Sequence, residues 1–280
     1  MSRPRIGRRQ LEGIRANLTD RDLDILKSVA TNRFLTSGQI RRLLFFNKPT
    51  RAAAVRSANR TLAKLADLQL IDALKRRIGG VRAGSSSHVW SLAPAGERLL
   101  EATDRGDRIA RRVREYEPTP TFLEHNLAVA EVCLTLSEAE RRGDITVLEL
   151  QREPDCWRAY SASGGGVARL KPDLAVVTAS GDFEDHWFLE IDLDTEPPSR
   201  IVRTCFRYVA YQSSGEEQKR LGVFPAVVWA VLSSERKSTL QQRIASESRL
   251  RPGLFGVCLL GDLLPLMQTG MAPQENGHES

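Results

Sequence analysis

The chain has 280 residues, 41% hydrophobic and 27% charged, which is enough to bury a core in each of two domains and rules out wholesale disorder. No apolar run approaches the roughly 20 residues of a membrane-spanning helix, and no apolar segment follows Met1-Ser2-Arg3-Pro4-Arg5, so neither a membrane span nor a secretory leader is expected. Cys133, Cys156, Cys205 and Cys258 lie far apart with no Cys-x-x-Cys pair, which argues against a zinc site or disulfide framework and fits a reducing cytoplasm.

The net charge of +6 is segregated along the chain. Residues 1–115 hold 25 Lys and Arg against 11 Asp and Glu, a net of +14, whereas the remaining 165 residues hold 16 against 24, a net of −8. A basic first part points to nucleic acid as its partner. An arginine-rich composition inherited from a GC-rich genome is the alternative source of the same charge.

Residues 1–17 read as a basic arm. Thr19 then caps a helix with Asp20 and Asp22 in its first turn and Leu23, Ile25, Leu26 and Val29 as its apolar stripe. Thr36 and Gln39 have capping-box spacing and start a second helix through Ile40, Leu43 and Leu44. A third helix is expected over about residues 50–68. Val55, Ala58, Leu62 and Leu65 share one of its faces, while Arg56, Arg60 and Lys64 recur every fourth residue on the opposite arc, with Arg51 at the start. Leu70–Leu74 and His88–Leu92 flank a Gly/Ser-rich tip carrying Lys75, Arg76, Arg77 and Arg82, which reads as a hairpin with a basic wing. Residues 18–96 are therefore expected to form a winged helix-turn-helix that contacts double-stranded DNA through Arg51, Arg56, Arg60 and Lys64 on the helix and Lys75, Arg76, Arg77 and Arg82 in the wing. On the helix alone, a merely solvated charge stripe is the competing reading.

Residues 97–120 read as a charged linker helix ending at Pro118-Thr119-Pro120, a surface through which two chains can pair as a homodimer despite its thin apolar stripe. From residue 121 the pattern changes. A helix through Phe122–Leu134 precedes strands at 146–150, 174–177 and 187–193, with a loose connection at Ser161–Gly166. A helix at 198–213, a strand at 226–232, a polar helix at 239–247 and a strand at 256–260 follow, and residues 269–280 read as a tail. Residues 121–268 thus describe an α/β sandwich around a mixed sheet.

Lys171-Pro172-Asp173 puts a carboxylate at the start of one strand. In the next, Glu190, Asp192 and Asp194 alternate with Leu189, Ile191 and Leu193, so strand periodicity points the three acids to one side. Such a cluster repels itself unless water or a cation neutralises it. Mg²⁺ bound by Asp173 and Glu190 would relieve the repulsion and activate a water toward a phosphodiester. The alternative is that these acids lie on an exposed sheet face or pair with Arg203 and Arg207 of the following helix. No GxxxxGK[ST] segment occurs, which excludes a P-loop site, and Gly164-Gly165-Gly166 lacks the setting of a dinucleotide loop.

The Pro172-Asp173 and Glu190-x-Asp192 pattern resembles the PD-(D/E)XK nuclease core, with Asp192 where that core normally carries lysine. The wider layout resembles the replication-relaxation family of plasmid-associated proteins over about residues 18–232. The matching pieces are Leu18-Thr19-x-Arg21-Asp22, Glu124-His125-x-Leu127, Lys171-Pro172-Asp173, Phe188-Leu189-Glu190-Ile191-Asp192 and Arg207-Tyr208-x-x-Tyr211. The resemblance implies a winged helix joined to a nuclease-like α/β domain (an α+β chain overall), acting with replication or transfer proteins of a plasmid or mobile element. It makes Asp173 and Glu190 metal ligands and Glu124 a third carboxylate. With the lysine missing, Asp192, Arg203 and Arg207 are what remains to complete a catalytic set, the arginines as phosphate clamps. Three functions follow as expectations: a DNA-binding protein of replication or mobilisation, a Mg²⁺-dependent endonuclease or nickase, and a winged-helix transcriptional regulator.

Overall fold

The computed structural model describes residues 6–74, 88–103, 118–162, 164–180, 183–251 and 253–271. By backbone contacts the chain divides into two compact units, Met1–Leu134 and Thr135–Ser280. Among the described residues no helix is long and apolar enough to cross a membrane.

The first unit contains α1 (Arg8–Ala16), α2 (Asp20–Asn32), β1 (Leu35–Thr36), α3 (Ser37–Leu44), α4 (Arg51–Asp67), β2 (Ile71–Ala73), β3 (Val89–Leu92), α5 (Pro94–Thr103) and the first part of α6 (Pro120–Arg142). Capping side chains fix where its helices begin. Thr19 Oγ1 accepts the Asp22 N–H at 3.2 Å while Asp22 Oδ2 accepts the Thr19 N–H at 2.8 Å, and Thr36 with Gln39 repeats the arrangement at 3.1 and 3.0 Å. Thr50 Oγ1 accepts the Ala53 N–H at 3.1 Å and starts α4. β1, β3 and β2 form an antiparallel sheet in that order, with Leu35 opposite Trp90 and Ile71 opposite Leu92.

One core joins Ile25, Leu26, Val29, Leu35, Ile40, Leu62, Leu65 and Ile71. It also takes in segments that composition alone set apart. Within residues 1–17, read as an arm, α1 sends Leu11 into this core together with Ile6, and Arg98 donates to the Ile6 carbonyl at 2.9 Å. Within residues 97–120, read as a linker, α5 buries Leu99 and Leu100; residues 104–117 lie outside the described residues. Gly96 on α5 has a packing reason: a Cβ there would lie 2.2 Å from the Leu70 carbonyl oxygen.

In the second unit, β4 (Thr146–Arg152), β7 (Leu174–Ser180), β8 (Phe183–Asp192), β9 (Ala226–Val231) and β10 (Phe255–Leu259) form one mixed sheet in the order β10-β9-β8-β7-β4. β8, β9 and β10 run parallel, while β7 is antiparallel to both β8 and β4. The segment read as a loose connection is a hairpin tip between β5 (Arg158–Ser161) and β6 (Val167–Leu170), with Gly165 and Gly166 both at φ 85°. The helices are α7 (Pro198–Ser214), α8 (Glu216–Leu221), α9 (Ser234–Ala245) and α10 (Leu263–Thr269).

β8 lies in the middle of the sheet and is buried continuously from Trp187 to Asp192. Strict alternation of a wet and a dry face therefore does not apply to it. Asp194 is off the strand altogether, two residues past its end in a left-handed conformation (φ 60°). α7 turns Ile201, Cys205, Tyr208 and Tyr211 inward, which leaves Arg203 and Arg207 on its exposed side.

Gly96→Ala tests the α5 contact. Alanine gains about 1 kcal/mol of helix propensity over glycine, but here it meets a backbone carbonyl that has no room to yield. The expected outcome is a net loss of about 1–3 kcal/mol, read as a lower urea midpoint.

Candidate functional site

Ala54, Ala58, Leu62 and Leu65 anchor α4 to the core. Ala58, Leu62 and Leu65 are buried as expected, but Ala54 takes the place expected of Val55, which is 38% exposed. Along the crest of the outer side run Ala52, Arg56 and Ala63, with Arg60 on one flank and Asn59, then Val55, on the other. Arg51, Arg56 and Arg60 are exposed, and among the described residues none of them has an ion-pair partner. Lys64 departs from the expected set. Its Nζ lies 2.7 Å from Asp22 Oδ2, which ties α4 to α2 instead of leaving a free cation. Burial pushes the Asp22 carboxyl up, but hydrogen bonds from Lys64 and Thr19 outweigh it and hold the group below its ordinary value. The expected wing residues Lys75, Arg76, Arg77 and Arg82 lie outside the described residues. Asn59 carries no charge and so gives a charge-based reading no signal; its place on the exposed flank beside Arg56 is the available one.

In the second unit Asp173 and Glu190 come close enough for the Asp173 charge to act on Glu190. Both are engaged internally. The β7–β8 ladder ends at Leu174 opposite Leu189. Continued by two residues it would set Pro172 against Ile191, and proline cannot sustain the full exchange of hydrogen bonds. Asp173 Oδ2 accepts the Ile191 N–H there at 2.8 Å, and the Pro172 carbonyl accepts from Cys156 Sγ at 2.9 Å. Glu190 Oε1 accepts the Tyr208 hydroxyl at 2.6 Å. Burial, reinforced by the Asp173 charge, pushes the Glu190 carboxyl well above its ordinary range. Burial and the adjacent Glu190 push the Tyr208 phenol up as well.

Asp192 is paired with an arginine that sequence reasoning did not find. Arg236, near the start of α9, places Nε 2.6 Å from Asp192 Oδ2 and 3.5 Å from Asp194 Oδ1, and donates from Nη2 to the Glu196 carbonyl at 2.6 Å. Arg203 and Arg207, expected as the compensating cations, point away from the acids because the sheet-facing positions of α7 hold Ile201, Cys205, Tyr208 and Tyr211. Lys171 instead lies over the Trp157 ring, 4.2 Å from its centroid. A second buried acid, Glu217 on α8, accepts from Arg158 at 3.3 Å, from Arg220 at 2.6 Å and from the Tyr211 hydroxyl. Burial pushes its carboxyl up, but the bonds from Arg220 and Tyr211 and the charge of Arg158 outweigh this and lower it.

These donors do not fit Mg²⁺. A hard dication needs several ionised or carbonyl oxygens turned toward it. Here Glu190 accepts the Tyr208 hydroxyl, Asp173 is bound to a backbone N–H, and Asp192 is spent on Arg236. Glu124, expected as a third carboxylate, is an exposed residue of the first unit. Among the described residues no three His, Cys, Asp or Glu side chains converge on a metal-sized site.

The raised Glu190 carboxyl sets a pH dependence. The unfolded chain releases this proton near the ordinary value of 4.5, whereas the folded chain retains it to higher pH. Stability is therefore lost as pH rises above that value, until the folded group ionises. Glu190→Gln keeps an acceptor for Tyr208 and removes this loss. Its urea midpoint is expected to approach the parent's near pH 4 and to exceed it near pH 8; an equal offset at both would mean that Glu190 ionises freely in the fold.

The comparisons with known proteins follow from this ground. A search of curated proteins finds no match. Among solved structures, the restriction endonuclease FokI aligns over 95% of this chain and 73% of its own at 10% identity, with a TM-score of 0.24, too slight a likeness to carry an argument. The family model described as Replication-relaxation matches residues 26–227, which takes in α4, Asp173, Glu190 and Tyr208 and well over half of the chain. The chain belongs to the replication-relaxation family.

Proposed function

We propose that this protein is a DNA-binding member of its family. In this reading the first unit is a winged helix-turn-helix that reads duplex DNA through α4, and the second is a PD-(D/E)XK-like domain that has given up cutting. The single observation that carries the reading is α4: exposed Arg56 and Arg60 on its outer side and exposed Arg51 at its start, without ion-pair partners among the described residues, set among small and polar side chains with no acid before Asp67. The order α2-β1-α3-α4-β2-β3, with its three-stranded antiparallel sheet, supports the winged-helix assignment.

The division of labour on α4 follows from side-chain chemistry. Ala52 and Ala63 let the helix approach a groove closely. Between them, Arg56 can make a bidentate contact to guanine and Asn59 to adenine, and Val55 can pack on a thymine methyl. Arg51 and Arg60, off the crest, supply phosphate contacts, which hold register without reading sequence. The site of action is DNA of a plasmid or mobile element, in the cytoplasm, alongside its replication or transfer proteins. The second unit then serves as a structural or docking body.

A duplex selected from a random pool gives the test. Asn59→Ala is expected to lose about 1–3 kcal/mol of discrimination at one A·T pair with an unchanged salt slope. Arg60→Ala should weaken all duplexes alike and reduce the slope of log K against log salt by about 0.9. If neither variant changes affinity, discrimination or slope, α4 is not the reading element.

The enzyme alternative is decided separately on supercoiled plasmid with Mg²⁺ or Mn²⁺. No nicking above the level of an Asp173→Ala, Glu190→Ala double variant is expected. Metal-dependent nicking that this variant abolishes would restore the endonuclease reading.

A further inference from the structure

Arg203 and Arg207, excluded from the acidic centre, lie where a different chemistry is open to them. They sit one turn apart on the exposed side of α7, and among the described residues neither has an ion-pair partner. Arg200, on the same side, is paired with Glu196 at 3.2 Å. Arg249 adds a third guanidinium. It stacks on Phe206 of α7, 4.5 Å from the ring centroid, and Phe206 lies about 60° round the helix from Arg203. Glu247 accepts from Arg249 Nη2 at 2.9 Å, so this guanidinium, like that of Arg200, already has a carboxylate partner. α7 itself has no Asp or Glu in its 17 residues. This arginine surface stands out against its surroundings, because the chain beyond residue 115 carries 24 acids against 16 bases.

We propose that Arg203 and Arg207 form a second DNA-contacting surface, one that grips backbone phosphates outside the bases read by α4. The chemistry favours a phosphate backbone over a protein. Guanidinium forks match phosphate oxygens in pairs, and two of them one helical turn apart are separated by about 5–6 Å. A protein partner would ask for an apolar centre. This surface has none: α7 exposes no large apolar side chain, and Phe206 is covered by Arg249. The contact is sequence-independent and depends on charge, so it adds affinity and salt sensitivity without altering which bases are preferred. It rests on the reading of the protein as a DNA binder and gives the second unit a part in that binding.

The experiment compares the full chain with Arg203→Glu/Arg207→Glu on two duplexes, one limited to the selected site and one extended on both sides with neutral sequence. The parent is expected to bind the extended duplex more tightly. The double variant should lose that gain, about tenfold or more, with a salt slope reduced by about 1.8 for two phosphate contacts and unchanged affinity for the short duplex. Arg203→Gln/Arg207→Gln, which adds no repulsion, should show the same pattern more weakly; it decides the matter if charge reversal impairs folding. Equal affinity and slope for parent and variants on the extended duplex would overturn the proposal, as would an equal loss on both lengths. If either result came with binding still abolished by Arg56→Glu/Arg60→Glu, this surface would fail while the reading helix stood. A parent that binds no duplex would overturn both.

Discussion

A carboxylate moved from water into a protein interior loses hydration worth several kcal/mol unless a donor replaces it. β8 makes this demand twice on one face, at Glu190 and Asp192, and the elements packed over that face answer it. α7 brings the Tyr208 hydroxyl to Glu190, and α9 brings the Arg236 guanidinium to Asp192. Asp173 completes the set from the other direction by closing the ladder where proline interrupts it. The three acids that pattern the sequence like a nuclease therefore act as internal joints. Removing one partner of such a joint leaves a buried polar group with nothing to bind, a larger loss than the bond itself contributes.

The first unit shows why net charge overstates a binding surface. Its segment carries 25 Lys and Arg against 11 Asp and Glu, but some of those cations are used within the unit. Lys64 is held by Asp22, Arg42 by Glu131, and Arg8 by Glu12. The exposed pairs contribute little to stability, yet they leave fewer cations free for an outside partner. What is left on α4 is narrower: Arg56 on the crest, Arg60 on its flank and Arg51 at the start of the helix.

Local signals in the sequence were legible because their physics is local. Both capping boxes, the extents of α2, α3, α4 and α7, and the five strands of the main sheet follow from propensity, capping and apolar runs. The hairpin of β5 and β6 was hidden by the glycines of its own tip, and α8 by its shortness. The face of β8 was misjudged because period-2 reasoning assumes one wet side, whereas a strand between β7 and β9 with helices over it is dry on both. Arg236 was out of reach altogether. It meets Asp192 across 44 residues, and nothing in its own neighbourhood distinguishes it from Arg243 or Arg249.

Arginine in the second unit thus follows two fates, and burial decides between them. Arg236 and Arg158 have side chains 11% exposed and are bound to Asp192 and Glu217; inside, a guanidinium persists only with a carboxylate to meet it. Arg203 and Arg207 remain in water, where holding their charge requires no partner. A phosphodiester is itself charged and cannot follow the acids into the interior without losing its own hydration. The groups that a cutting enzyme would have to present to it are therefore the ones this fold has enclosed. The groups that α7 leaves facing solvent are cations, which suit the holding of an anion and are poor at activating water.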